Sequence, residues 1–163
     1  MDMVLHRLKR MPFSTVLAAR NYGLDNIRVP VDAALGSKLC MAILRGDNTE
    51  VKDLIRRGAD VDYQDSPDGW TPLIYSIYYG NTNARKVLID AGADIELGDY
   101  ANRTPLMFAA IKGDEKFLLE LLDSGANASI IDCRGKNALD FAREYRNEKC
   151  IMILQKQLQD IVW

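Results

Sequence analysis

Apolar and polar positions alternate with helical period over several stretches of the chain. Between Glu115 and Leu122, Phe117, Leu118, Leu121 and Leu122 share one face. That spacing predicts an amphipathic helix, and Gly125 follows as its stop signal. Near the end, Ile151, Leu154, Leu158 and Ile161 make a second apolar stripe, which predicts a last helix running on toward Trp163. At the start, Val4, Leu5, Leu8 and Met11 fall on one face, with His6, Arg7, Lys9 and Arg10 elsewhere. Phe13, Val16 and Leu17 offer a further apolar face after Pro12, and 26–31, which includes Pro30, reads as a connector.

Short helices begin at Thr71 and Thr104. A threonine side chain can cap the first turn, and Pro72 and Pro105 then occupy the first helical position, where a missing N–H costs nothing. Gly80 and Gly113 end these helices by permitting a left-handed backbone.

The pattern repeats. Thr71-Pro72-Leu73 returns 33 residues later as Thr104-Pro105-Leu106. Gly92-Ala93-Asp94 returns at the same interval as Gly125-Ala126-Asn127, and Gly58-Ala59-Asp60 precedes it by 34. The extended stretch from Ala126 to Ile131 turns back at Asp132-Cys133-Arg134-Gly135. A fixed period of this length marks a solenoid of stacked units, because one helix pair cannot bury its apolar face alone.

The run from Asp99 through Thr104-Pro105-Leu106 to Gly113, then Leu118 to Leu122 and Gly125-Ala126-Asn127, resembles an ankyrin repeat at nearly every position; Met107 stands where the family carries His. The resemblance covers 37–158 and implies an all-α ankyrin-repeat solenoid of helix-turn-helix units joined by β-hairpin-like loops. We divide the chain into an N-terminal helical extension at 1–35 and a repeat domain at 36–163, with repeats at 36–64, 65–98, 99–131 and 132–163. The outer repeats are degenerate. Ser37-Lys38-Leu39 and Asn137-Ala138-Leu139 replace Thr-Pro-Leu, and Arg146 replaces the mid-repeat glycine. Terminal repeats meet water on one side, and the last helix reads as a cap sealing the stack.

Composition fits this picture and narrows the function. The chain has 163 residues, enough for one domain, with 48% hydrophobic and 27% charged residues, which excludes disorder as the general state. A net charge of −2 lacks the basic surplus that a nucleic-acid partner calls for. No apolar run approaches the roughly 18 residues of a membrane span. Cys40, Cys133 and Cys150 form no CxxC pair and read as free thiols in a reducing cytoplasm, with Cys133 the candidate surface thiol.

For 1–35 we read a helical cap over the first repeat; the alternatives are a basic targeting peptide and a partner-binding or membrane-surface helix. Catalysis has little to draw on. His6 is the only histidine, and no phosphate loop, HExxH or paired CxxC occurs. Asp60, Asp62, Asp65 and Asp68 lack the ligand spacing of a calcium loop, so Asp60 reads as part of the Gly-Ala-Asp turn. No catalytic residue, cofactor or metal is assigned.

The resemblance places a binding surface on the inner helices and hairpin tips, which in the family form a concave face. Carried over by position, the candidates in the second repeat are Ser66, Pro67, Asp68 and Trp70, then Tyr78 and Tyr79. In the third they are Tyr100, Ala101 and Arg103, then Ile111 and Lys112. Leu44 and Arg45 stand at the late inner-helix sites of the first. In the fourth they are Cys133, Arg134 and Lys136, then Glu144 and Tyr145. Tyr75 reads as a packing residue. Tyr and Trp bury large area with few rotatable bonds, and the cations beside them suggest a partner with an acidic or polar surface and apolar anchors. The tip 65–69 is one residue longer than its counterpart from Asp99 and carries Pro67, which suits a projecting contact. Asn102 replaces the tip glycine and tolerates its left-handed backbone.

The expectation is a cytoplasmic protein, monomeric or weakly self-associating, that binds another protein, with no nucleic-acid partner and no membrane span. It would act as a steric inhibitor, an immunity-type protein or a complex subunit. A secreted host-directed effector is the alternative, followed by an enzyme or small-ligand binder using the same groove.

Overall fold

A computed structural model describes residues 31–160. The described residues form eight helices and no strand. They are α1 (Val31–Arg45), α2 (Asn48–Arg56), α3 (Pro72–Tyr78), α4 (Thr82–Asp90), α5 (Pro105–Lys112), α6 (Glu115–Asp123), α7 (Ala138–Glu144) and α8 (Glu148–Asp160). Each successive pair is one repeat. The helical cap, targeting-peptide and surface-helix readings of the N-terminal stretch over 1–30, and the end of the last stripe from Ile161 to Trp163, lie outside the described residues.

The caps form as the sequence dictates. Thr71 and Thr104 accept hydrogen bonds from the N–H groups of Ile74 (3.2 Å) and Met107 (3.4 Å), with proline at the start of each helix. Asn137 does the same work in the fourth repeat through a reciprocal box with Asp140. Asp47, Asn81 and Asp114 cap the second helices. Gly113 ends α5 at φ 68°, the left-handed region that a Cβ disfavours. Arg146 adopts φ 57° and Asn102 φ 60°, so both replacements keep the glycine conformation. The Gly-Ala-Asp motif also has a cause. Asp60, Asp94 and Asn127 each accept from the N–H two residues on, at 3.0, 2.8 and 2.9 Å, turning the chain after the second helix.

Chain contacts divide the protein into two compact units, 31–93 and 94–160 within the described range. In the first, α1 packs on α2 and α3, α3 on α4, and α2 on α4. Its core joins Leu35, Leu39, Ala42, Ile43, Val51, Leu54 and Leu88, with Tyr75 packed partly buried against it. The Asn81 side chain donates to the Ile43 carbonyl at 3.3 Å, tying the second repeat to the end of α1. Here α1 differs from expectation: it starts at Val31, ahead of the boundary at Gly36. Gly36 lies inside the helix, and the Tyr63 ring packs so closely on it that only glycine fits: a Cβ there would stand 2.4 Å from that ring.

In the second unit, α5 packs on α6 and α7, and α8 on α6 and α7. Phe117, Leu118, Leu121 and Leu122 are all buried, the face read from their spacing. In α8 the buried residues are Leu154 and Cys150, while Ile151 and Leu158 are half-buried. The Asn147 side chain donates to the carbonyls of Ala110 (2.6 Å) and Ile111 (3.0 Å), the counterpart of Asn81 in the first unit.

Candidate protein-binding surface

The tip of the second repeat is a closed turn. Asp65 N–H donates to the Trp70 carbonyl at 3.0 Å, and Gly69 N–H to the Asp65 carbonyl at 2.7 Å. This is an isolated β-bridge, which is all that the hairpin-like loops amount to in strand terms among the described residues. Asp65 Oδ1 accepts from Ser66 N–H at 3.1 Å and Oδ2 from the Tyr75 hydroxyl at 3.0 Å. Pro67 and Asp68 are exposed at the apex.

Four rings gather beneath that tip. Trp70 meets Tyr75 edge-on at 5.3 Å and Tyr78 tilted at 4.8 Å. Tyr79 stacks on Tyr75 at 6.2 Å and meets Tyr78 edge-on at 5.3 Å. Such pairs contribute about 1 kcal/mol each beyond their buried area, so the cluster is rigid before any partner arrives. Tyr75 and Trp70 are half-buried, whereas Tyr78 and Tyr79 keep 38% and 52% of their surface in solvent. Burial, together with the Asp65 carboxylate, pushes the Tyr75 phenol well above its usual pKa, so it stays a donor to Asp65. The packing role read for Tyr75 therefore includes holding the tip.

The late inner-helix sites of the first repeat extend this surface. Leu44 is 41% exposed and, by repeat register, matches Tyr78. Met41, which matches Tyr75, is 48% exposed and was missed by the sequence reading, although the repeat alignment points to it. Arg45, in register with Tyr79, is ion-paired with Glu50.

The tips of the third and fourth repeats use the same aspartate differently. Asp99 Oδ1 accepts from the N–H groups of Ala101 (3.0 Å) and Arg103 (2.8 Å). Its Oδ2 takes the Arg103 guanidinium through Nε at 2.7 Å and Nη2 at 2.6 Å. The guanidinium lies 5.2 Å over the Phe108 ring. Asp132 Oδ1 accepts from the N–H groups of Arg134 (2.9 Å) and Lys136 (2.8 Å), and its Oδ2 from Arg134 Nε at 3.3 Å. Lys136 Nζ donates to Glu144 at 2.6 Å, and both cations lie near 6 Å from the Phe141 ring, at 5.8 and 5.9 Å. Burial pushes the Asp132 carboxyl up, yet the Lys136 and Arg134 N–H groups and the Arg134 guanidinium outweigh it and hold the pKa below its ordinary value. The Lys136 hydrogen bond lowers that of Glu144.

These pairings correct one expectation. Arg103, Arg134 and Lys136 each carry a carboxylate partner, so they do not present the unpaired positive charge that suggested an acidic partner. Their first task is to shape the tips. Cys133 N–H donates to the Ala101 carbonyl at 2.8 Å, linking the two tips of this unit, and Asn102 Nδ2 donates to the Ile131 carbonyl at 2.7 Å. Tyr100 and Tyr145 are exposed at 51% and 53%, and Lys112 is exposed. Ile111 is half-buried, its carbonyl engaged by Asn147. The candidates thus fall into two groups. Pro67, Asp68, Trp70, Tyr78 and Tyr79 belong to one ring-and-tip cluster in the first unit. Tyr100, Arg103, Ile111, Lys112, Arg134, Lys136 and Tyr145 belong to the second.

A family model described as ankyrin repeats, in three copies, matches residues 39–132, more than half of the chain. The chain belongs to the ankyrin-repeat family. Its relatives share the repeats over limited spans. Ankyrin repeat and SAM domain-containing protein 6 of Rattus norvegicus is 31% identical over 94 residues, 58% of this chain and 10% of that protein. An ankyrin repeat protein of Acanthamoeba polyphaga mimivirus is 47% identical over 53 residues, 32% of each chain. Protein phosphatase 1 regulatory subunit 12A of Mus musculus is 35% identical over 69 residues, 42% of this chain and 7% of that protein. The ankyrin-repeat chain therefore spans no more than a third of these relatives.

Ankyrin repeats are a general protein–protein interaction module. Among the described residues, no group of three or more His, Cys, Asp or Glu is placed to hold a metal ion. No described helix is long and apolar enough to cross a membrane. Cys40, Cys133 and Cys150 are free thiols, Cys133 exposed and the others buried.

Proposed function

We propose that this ankyrin-repeat protein binds a partner protein through its hairpin tips and the late inner-helix positions, and acts by masking the surface it covers. The observation that carries this reading is the ring cluster of Trp70, Tyr75, Tyr78 and Tyr79, ordered by mutual contact yet open to solvent at Tyr78 and Tyr79. Aromatic anchors of this kind dominate interface energetics, and prior ordering lowers the entropy cost of binding. A specific interface of about 800 Å² per partner needs roughly 20–30 residues. The phosphatase relative is a regulatory subunit, which supports a regulatory or subunit role over a catalytic one. The three free thiols support a reducing, cytoplasmic setting.

The test is capture from the native host with wild type and with Tyr79→Ala/Tyr100→Ala, both exposed positions, after both give equal helicity and melting. A protein held by the wild type and released by the variant supports the reading and identifies the partner. Equal recovery from both removes the tips and inner-helix ends from consideration.

A further inference from the structure

The ring cluster sits in an unusual charge environment. From Arg57 to Arg85 the sequence contains no Lys or Arg between those two ends, yet it contains Asp60, Asp62, Asp65 and Asp68. This stretch includes the whole tip and all of α3. The corresponding stretches of the second unit hold Arg103 and Lys112, then Arg134, Lys136 and Arg143. Where those repeats place a cation over the ring four residues into the helix, Arg103 over Phe108 and Lys136 over Phe141, the second repeat places Trp70 against Tyr75. In the same unit, the cation that stands in register with Tyr79 is Arg45, and it is paired with Glu50.

We propose that the second-repeat cluster docks a cationic segment of the partner protein, with a Lys or Arg side chain seated against the exposed Tyr78 and Tyr79 rings and drawn in by the acidic tip. This deepens the function proposed above and rests on it. Ring faces carry negative potential and attract ammonium and guanidinium groups within about 6 Å. Asp68, exposed at the apex of the same repeat, adds a full negative charge to this cation-free stretch. Met41 and Leu44, exposed at equivalent positions of the adjoining helix α1, supply apolar contact for the residues flanking the cation. The chemistry selected is a segment in which basic and apolar side chains alternate.

The experiment uses the full chain and two labelled peptide pools. In one, Lys or Arg alternates with random apolar residues; in the other, Asp or Glu takes the basic positions. We expect the basic pool to be retained at least about tenfold more strongly, with retention falling as salt rises. Tyr79→Ala and Asp68→Lys should each lose that preference, and Tyr79→Phe should keep it, since the ring survives. Both positions are exposed, and equal circular dichroism confirms that each of the three variants folds. Retention of the acidic pool, lost in Tyr79→Ala, would overturn the cationic assignment while leaving the docking surface standing. Indifference of the basic pool to Tyr79→Ala would overturn both for this cluster. Binding that appears only after Arg7, Lys9 and Arg10 are changed to Gln would give the cluster to the chain's own basic N-terminal stretch and overturn the partner assignment.

Discussion

The tip of the second repeat and the tips of the third and fourth start from the same aspartate and diverge at the residue before the helix cap. In the later repeats that residue is Arg103 or Lys136, and a cation satisfies the buried carboxylate. Asp99 takes its own Arg103, and Asp132 takes Arg134. In the second repeat the residue is Trp70, and Asp65 turns to the Tyr75 hydroxyl instead. One exchange changes two things. It removes a positive charge from the tip, and it replaces a ring-and-cation pair with a cluster of rings. The lesson is that shape can be kept while the chemistry offered to a partner is inverted.

Removing the aspartates should separate the two designs most strongly. Asp99→Ala deletes an acceptor of two backbone N–H groups and leaves the Arg103 guanidinium without its carboxylate, which should cost about 3 kcal/mol. Asp65→Ala loses one backbone bond and one neutral phenol bond, and should cost about 1 kcal/mol. Urea unfolding of both variants checks the difference; equal losses would mean the tips are held alike. Converting one design into the other sharpens the point. Trp70→Arg should fold with a loss near 1 kcal/mol, as ring contacts are exchanged for a guanidinium near Asp65. The same change should abolish retention of the basic peptide pool.

Acid should act on the later tips. The Asp132 pKa lies below its ordinary value in the folded chain, so its contribution is present above the ordinary carboxylate range and is lost as pH falls through that range toward the folded pKa. Asp132→Asn should therefore lower stability at pH 7 by about 1 kcal/mol and by progressively less as pH is lowered through the carboxylate range toward pH 2. Melting curves at the two pH values give the answer. The smallest effects concern the left-handed residues. Arg146→Gly should raise stability by about 0.5 kcal/mol by relieving the backbone, whereas Asn102→Gly should not, because it forfeits the bond to Ile131. Paired melting temperatures test this contrast.

Much of the fold was legible because its determinants are local. Thr-Pro caps, left-handed glycines and the Phe117 to Leu122 stripe each act within one or two turns, and each appears where the spacing put it. The Asn102 substitution was legible for the same reason, whereas Arg146 read only as a degenerate position and its left-handed backbone is a finding of the structure. The start of α1 was not legible, since Gly36 reads as a boundary in sequence, whereas it serves inside the helix to let Tyr63, far along the chain, pack against it. The surface was read less well. Counting Arg103, Arg134 and Lys136 gave a positive surface, but whether a cation is spent internally depends on which carboxylate the turn brings to it. The ring cluster was half-legible: Trp70, Tyr78 and Tyr79 were named by register, while their mutual contact and the exposure of Met41 required coordinates.

The amides of Asn81 and Asn147 bear on how the protein comes apart. Each completes the last turn of an inner helix belonging to the repeat before it, Asn81 at Ile43 and Asn147 at Ala110 and Ile111. A nick that frees the fourth repeat would therefore strip the end of α5 of its donors. Proteolysis should run backward through the unit, with the third repeat becoming cleavable soon after the fourth, and amide exchange near Lys112 should track events at Asn147.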